Sequence, residues 1–359
     1  MLYKICTSLS KEIDITVISL TNLGNIGINL RKKGIPVIFL SLHKSIFKCF
    51  FKIIHLFFLI RKNKPDIVHT WMYHADLIGG ILSKIAGVKT IVWCIRNSNY
   101  SNINTKLTTR LVIWICAKIS HCIPSKIVSC SYNSINFHKE IGYSKNNFIY
   151  IPNGVDTKMF YPSSFNSIFL KKELSISKSK RLIGIVGRFD PQKNHIGFIK
   201  CAYMLNKKYD NLVFIYVGKY LDKNNADIIN EISNYNLSEI FYLLGERNDI
   251  PYIMSSLDIL VSPSIYGEAF PNVIAEAMSA GVPCVVTDVG DSSLIVGPSG
   301  ITVPPHDYQA LYSALSNMLN KSRDDYKYLA HIARDRVINK YNITNITECY
   351  LNLYKSCIL

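Results

Sequence analysis

Short apolar runs alternate with longer stretches whose apolar residues recur at helical spacing, and the alternation persists through nearly the whole chain. In the first half the runs occupy residues 13–19, 36–40, 66–69, 90–93, 126–129 and 148–151. Asn153-Gly154 breaks the series, and Tyr161-Pro162-Ser163-Ser164 has the composition of a linker. A second series follows at 181–186, 212–217, 239–243, 258–261, 283–287 and 300–303. Strands of this kind expect cover on both faces, as in a parallel sheet flanked by helices. The pattern predicts an α/β protein with one domain over residues 1–162, a second over 163–340, and a tail, 341–359, whose closing helix runs near 345–355. The chain opens on a helix, because Leu2, Ile5, Cys6 and Leu9 share one helical face, and reaches its first strand only at Ile13. At 359 residues there is length for two cores.

One segment breaks the rhythm with chemistry. Residues 267–281 read G-E-A-F-P-N-V-I-A-E-A-M-S-A-G. Pro271 suits the start of a helix, Val273, Ile274, Ala277, Met278 and Ala280 continue an apolar face, and Gly281 is a C-terminal stop. Glu268 therefore lies in the loop before a helix and Glu276 about one turn inside it. The unpaired N–H groups of a helix start attract phosphate, and carboxylates beside them suit sugar hydroxyls. An ordinary helix with one solvated glutamate has the same local pattern.

The strand at 181–186 ends in Gly187-Arg188-Phe189-Asp190-Pro191-Gln192-Lys193-Asn194. Arg188 offers a planar fork for phosphate oxygens and Lys193 a compact charge. Both follow the C-terminal end of a strand, where open α/β sheets bind ligands. Asn194 is a candidate N-cap for the next helix.

Taken together, residues 187–194 and 268–276 resemble the donor site of glycosyltransferase family 4, the large retaining family of GT-B fold. Weaker similarity continues at 66–80, 149–160, 258–263 and 281–287. The resemblance implies two Rossmann-like, doubly wound domains facing a cleft, with the acceptor on the first and the nucleotide-sugar on the second. It implies that Arg188 and Lys193, with Phe270, Pro271 and Asn272, hold the donor diphosphate. Glu276 would hold the ribose hydroxyls, and Glu268 would approach the donor sugar near the reacting centre without being assigned as a nucleophile. It implies no metal or other cofactor, a UDP- or GDP-sugar donor, and a glycan or lipid-linked acceptor in bacterial surface polysaccharide or lipopolysaccharide assembly. Family members begin with a strand and a Gly-rich loop before a segment like Leu2-Tyr3-Lys4. Neither is present, so the expectation is a chain lacking the central strand of its first sheet. A nucleotide-sugar epimerase of the same fold, and a non-catalytic donor-binding remnant, remain open alternatives.

His69, Trp71 and His74 follow the strand at 66–69, and Arg96-Asn97-Ser98 follows the one at 90–93. His69 and His74 lack the i, i+4 spacing of many metal ligands, and no metal site is read there. Many family members carry a histidine near the position of Arg96. Arg96 and His74 join Glu268 as candidate catalytic residues.

Charge separates the two halves. The net charge is +16; residues 1–150 hold 20 Lys and Arg against 5 Asp and Glu, so nearly all the excess lies there. Such asymmetry suits an anionic surface as partner. Segment 45–64 mixes Phe and Ile with Lys48, Lys52, Arg61, Lys62 and Lys64, and suits either a membrane interface or a helix packed on the sheet with a basic outer edge. No aromatic platform or motif supports nucleic acid. Ten scattered cysteines form no disulfide or zinc framework and read as free thiols of the cytoplasm. The longest apolar run, 53–60, is far short of the roughly 20 residues that span a bilayer. The expected location is cytoplasmic, with peripheral contact at the inner face of the membrane.

Overall fold

The computed structural model describes residues 1–42, 46–98 and 106–358, apart from the side chains of residues 46–48. Ser45 and the Lys48 side chain of the basic segment therefore lie outside the described residues. The chain forms two units: Met1–Gly154 with Ile343–Leu359, and Val155–Asn342.

The first unit runs α1 (Leu2–Leu9), β1 (Val17–Ser19), α2 (Gly24–Lys32), β2 (Val37–Phe39), α3 (Ile46–Asn63), β3 (Ile67–His69), α4 (Tyr73–Ile85), β4 (Thr90–Ile95), α5 (Leu107–Ile119), β5 (Lys126–Ser129), α6 (Tyr132–Glu140) and β6 (Phe148–Tyr150). Its strands are parallel and fall into a two-stranded sheet, β1-β2, and a four-stranded sheet, β3-β4-β5-β6. β4 shows why its sequence is apolar throughout. Ile91, Trp93 and Ile95 pack with Leu56, Ile60, Ile113 and Cys116 from α3 and α5, while Val92 and Cys94 pack on the opposite face. There they meet Ile5 and Leu9 of α1. Gly80 lets α4 close on the sheet, because a Cβ there would stand 2.7 Å from the Trp93 indole nitrogen.

The second unit runs α7 (Ser164–Glu173), β7 (Arg181–Val186), α8 (His195–Asn206), β8 (Leu212–Val217), α9 (Ala226–Asn234), β9 (Phe241–Leu243), α10 (Ile250–Ser256), β10 (Ile259–Ser262), α11 (Asn272–Ser279), β11 (Cys284–Thr287), α12 (Ser292–Val296), β12 (Ile301–Val303), α13 (Tyr308–Leu319) and α14 (Arg323–Lys340). Its six parallel strands have the order β12-β11-β10-β7-β8-β9. The order reverses between β7 and β10, and a crevice opens at the strand C-termini at such a switch point.

The last helix, α15 (Ile343–Ile358), belongs to the first unit. Its Ile346, Tyr350, Leu351 and Leu353 share a core cluster with Ile5, Leu9, Val92 and Val128. The division between units falls at Gly154 and not at residue 162. Val155 donates to the Tyr341 carbonyl at 2.8 Å, and the Phe160 carbonyl accepts from Ser279 Oγ at 2.7 Å. The apparent linker is thus tied into the second unit. All ten cysteines are free thiols.

Candidate functional site

The segment after β7 is shaped by its own side chains. The Asp190 carboxylate accepts from the Gln192 amide at 3.1 Å and caps a 3-10 turn, Pro191–Lys193. Asn194 then takes a left-handed conformation, φ 56° and ψ 39°, and α8 begins at His195. Asn194 occupies the N-cap position, but its side chain makes no capping bond. Instead it fills space that only Gly197 leaves open, since a Cβ at 197 would sit 2.2 Å from Asn194 Oδ1. Gly218, just past β8, lets two backbones meet: a Cβ there would stand 2.2 Å from the Gly187 carbonyl oxygen.

The segment after β10 is strapped to this loop. The Ile265 amide donates to the Gln192 carbonyl at 2.9 Å. Gly267, at φ 75°, faces the Gln192 side chain, and Gly290 leaves room for the Glu268 carbonyl. These contacts bring Lys193 Nζ to 2.6 Å from Glu268 Oε1 across the switch point. Ser264 Oγ donates to the same oxygen at 2.8 Å. The Glu268 side chain is 9 % exposed and that of Lys193 21 %, so a carboxylate that costs free energy to bury is paired and hydrogen-bonded. Arg188 is exposed and rests on Asp190 at 2.9 Å.

Pro271 is the N-cap residue of α11 and Asn272 its first helical residue, exposed to solvent. The first N–H groups of a helix have no acceptor within it. Glu276 is half-buried one turn on, and Gly281 follows the helix at φ 73°. Phe270 precedes Pro271 in the loop that leads into α11. Its ring is buried against Tyr341 at a centroid distance of 5.4 Å, so its side chain anchors the loop and only its backbone remains for a ligand.

Sequence reasoning missed Ser264, Gln192, Gly218 and Gly290, whose parts depend on contacts far along the chain. It also missed His195, buried behind the Lys193 loop against the Tyr216 ring. Burial, and then the nearby Lys193, lower its pKa to about 4, so a neutral ring backs the cation.

In the first unit, Arg96 follows the C-terminal end of β4. Its guanidinium donates to Asn153 Oδ1, the Tyr350 hydroxyl and Cys94 Sγ, and lies 4.6 Å over the Trp71 ring. Arg96 therefore ties β4 to α15 through neutral partners. His69 Nδ1 lies 2.7 Å from the Tyr354 hydroxyl, and desolvation, then Arg96, lowers its pKa to about 3. His74 stands exposed in the first turn of α4.

Two family models match consecutive parts of the chain: "Glycosyltransferase Family 4" over residues 1–159 and "Glycosyl transferases group 1" over 166–336. The chain belongs to the family 4 glycosyltransferases. The enzyme is 28% identical over 319 residues to the UDP-Gal:alpha-D-GlcNAc-diphosphoundecaprenol alpha-1,3-galactosyltransferase of Escherichia coli, spanning 86% of this chain and 80% of that one. It is 24% identical over 341 residues to the N,N'-diacetylbacillosaminyl-diphospho-undecaprenol alpha-1,3-N-acetylgalactosaminyltransferase of Campylobacter jejuni, spanning 92% and 88%. Among solved structures, Anabaena HepE in complex with UDP superposes with a TM-score of 0.86, over 99% of this chain and 95% of that one, at 19% identity. That likeness establishes the GT-B fold, with its two Rossmann-like domains, for this glycosyltransferase.

Proposed function

We propose that the enzyme transfers a sugar from a UDP-sugar to a lipid-linked saccharide diphosphate with retention, in bacterial surface polysaccharide assembly. The observation that carries this reading is the Lys193–Glu268 pair at the switch point of the second sheet, 2.6 Å apart. A donor diphosphate entering beside Arg188, Lys193 and the start of α11 meets two cations and the positive end of a helix. Lys193 then exchanges Glu268 for phosphate oxygen, and Glu268 turns to the sugar. As the glycosidic C–O bond breaks, negative charge grows on the leaving diphosphate and positive charge on the anomeric carbon. Arg188, Lys193 and the helix start stabilise the first, and the Glu268 carboxylate faces the second. Glu276 takes the ribose hydroxyls. Arg96 and His74, in the first unit, belong to the acceptor side. The alpha-1,3 transfer to undecaprenyl-diphosphate saccharides named for the two relatives supports the acceptor class and the linkage.

The test is product analysis. A panel of UDP- and GDP-sugars is incubated with a polyprenyl-diphosphate saccharide, and mass spectrometry and anomeric NMR read the product. An alpha-linked product from one UDP-sugar is expected. Glu268→Gln should lose turnover while keeping UDP binding, and Glu276→Ala should weaken UDP binding by about tenfold, the loss of a charge-assisted hydrogen bond. Epimerised donor without transfer, or one kinetic pattern for both variants, overturns the assignment.

A further inference from the structure

A helix that covers a sheet normally turns polar residues to water, and two helices of the first unit do not. α3 buries Leu56 and Ile60 and leaves Phe50, Phe51 and Phe58 exposed. α5 buries Ile113, Cys116 and Ala117 and leaves Leu107, Leu111 and Trp114 exposed. Those three α5 residues, with Lys118 after them, recur every three or four positions and so form one outward stripe. Both helices pack on α4, so the two apolar faces flank it in one layer. Single exposed apolar residues need no explanation, but grouped ones mark an interaction surface.

Charge indicates what covers this layer. Between Asp14 and Glu140 the only acidic residues are Asp66 and Asp76, and Asp76 is fully buried. The last turn of α3 carries Arg61 and Lys62, that of α4 Lys84, and that of α5 Lys118. Arg61, Lys64 and Lys89, with Asp66 among them, line a hollow of about 620 Å³ whose apolar wall includes Ile60, Ile85 and Val88. None of these three cations is in an ion pair among the described residues. Aromatic and aliphatic side chains on outward helix faces, rimmed by cations that far outnumber the one exposed acid, Asp66, match the interface of a bilayer rich in anionic lipid.

We propose that α3 and α5 together dock the enzyme on an anionic membrane, with the exposed Phe, Leu and Trp side chains in the headgroup–acyl boundary and the cations against lipid phosphates. None of the described helices is long and apolar enough to cross a membrane, so contact is by one face. The inference stands on this surface and not on the transfer reaction.

The full chain, without donor or acceptor, is mixed with vesicles of phosphatidylcholine alone or with about one third phosphatidylglycerol, at low and high salt. Co-sedimentation with the anionic vesicles at low salt is expected, with loss at high salt and little binding to phosphatidylcholine. Leu111→Ser/Trp114→Ser and Phe51→Ser/Phe58→Ser should each weaken binding by about tenfold or more, with circular-dichroism melting unchanged because the residues are exposed. Vesicles should shift tryptophan emission to the blue, and Trp114→Phe should abolish the shift while still sedimenting. Absence of sedimentation at low salt, or parental binding by both double variants, overturns the proposal. A concentration-dependent dimer that the Leu111→Ser/Trp114→Ser variant dissociates, without vesicle binding, would assign the face to a second copy instead.

Discussion

Lys193→Met removes the cation from a carboxylate that is 9 % exposed and leaves one hydrogen bond, from Ser264, to hold it. Stripping one partner from a fully buried ion pair costs about 3–5 kcal/mol. Here the Lys193 side chain is 21 % exposed, and the Ser264 bond to a charged acceptor remains, so a cost of about 2 kcal/mol is expected. For a unit of this size that lowers Tm by about 4–8 °C. Glu268→Gln keeps the shape and the Ser264 contact and should cost about 1 kcal/mol. Because both substitutions dismantle one interaction, the double variant should cost scarcely more than Lys193→Met alone, a coupling of about 1 kcal/mol. The assay can separate the units. All three tryptophans, Trp71, Trp93 and Trp114, lie in the first unit, so their emission reports that unit while circular dichroism reports both. Urea unfolding should show the loss by circular dichroism without an equal shift in tryptophan emission. UDP, which stabilises in proportion to RT ln(1 + [L]/Kd), should protect the parent more than Lys193→Met. A coupling below about 0.5 kcal/mol would be indistinguishable from additivity and would refute the idea that the pair is what holds the two loops together.

Gly218→Ala places a Cβ 2.2 Å from the Gly187 carbonyl at a backbone φ of +148°, so the loop carrying Arg188 and Lys193 must shift; calorimetric UDP titration should show affinity reduced about tenfold or more, with about 2–3 kcal/mol of stability lost, and wild-type affinity would contradict the tight approach. His195 is held neutral in the folded state by burial and then by Lys193, with pKa lowered to about 4. Its contribution to stability is full above the unfolded pKa of about 6.5 and is lost as pH falls toward 4, about 2 kcal/mol of it by pH 5. Urea midpoints of the circular-dichroism transition at pH 7.5 and 5 should register that loss, and His195→Leu should flatten it; an equal slope in the variant would show that another group is responsible.

Much of the fold was legible along the chain. The apolar runs that became β4, β7, β8, β10 and β11 announce themselves because a strand covered on both faces is apolar along nearly its whole length, a local property. The two chemical segments were legible for the same reason. Gly187 to Asn194 and Gly267 to Gly281 each carry their loop and helix-start signals within a few residues. Tertiary structure decided what those segments do together. β10 lies beside β7 although a strand pair, β8 and β9, separates them in sequence, and that neighbourhood joins Lys193 to Glu268 and recruits Ser264. The same holds for Phe270, which reads as part of a binding motif and turns inward because Tyr341 waits there. It holds for α15, whose apolar face does not say which core it will enter, and for α5, whose stripe becomes visible only when Ile113 and Cys116 are seen to take the sheet-facing side. Backbone preference and periodicity act between near neighbours and are written in the sequence. Which faces meet, and which are left to water, is settled by burial against elements far away in the chain, where close approach at a glycine or a single ion pair outweighs the local pattern.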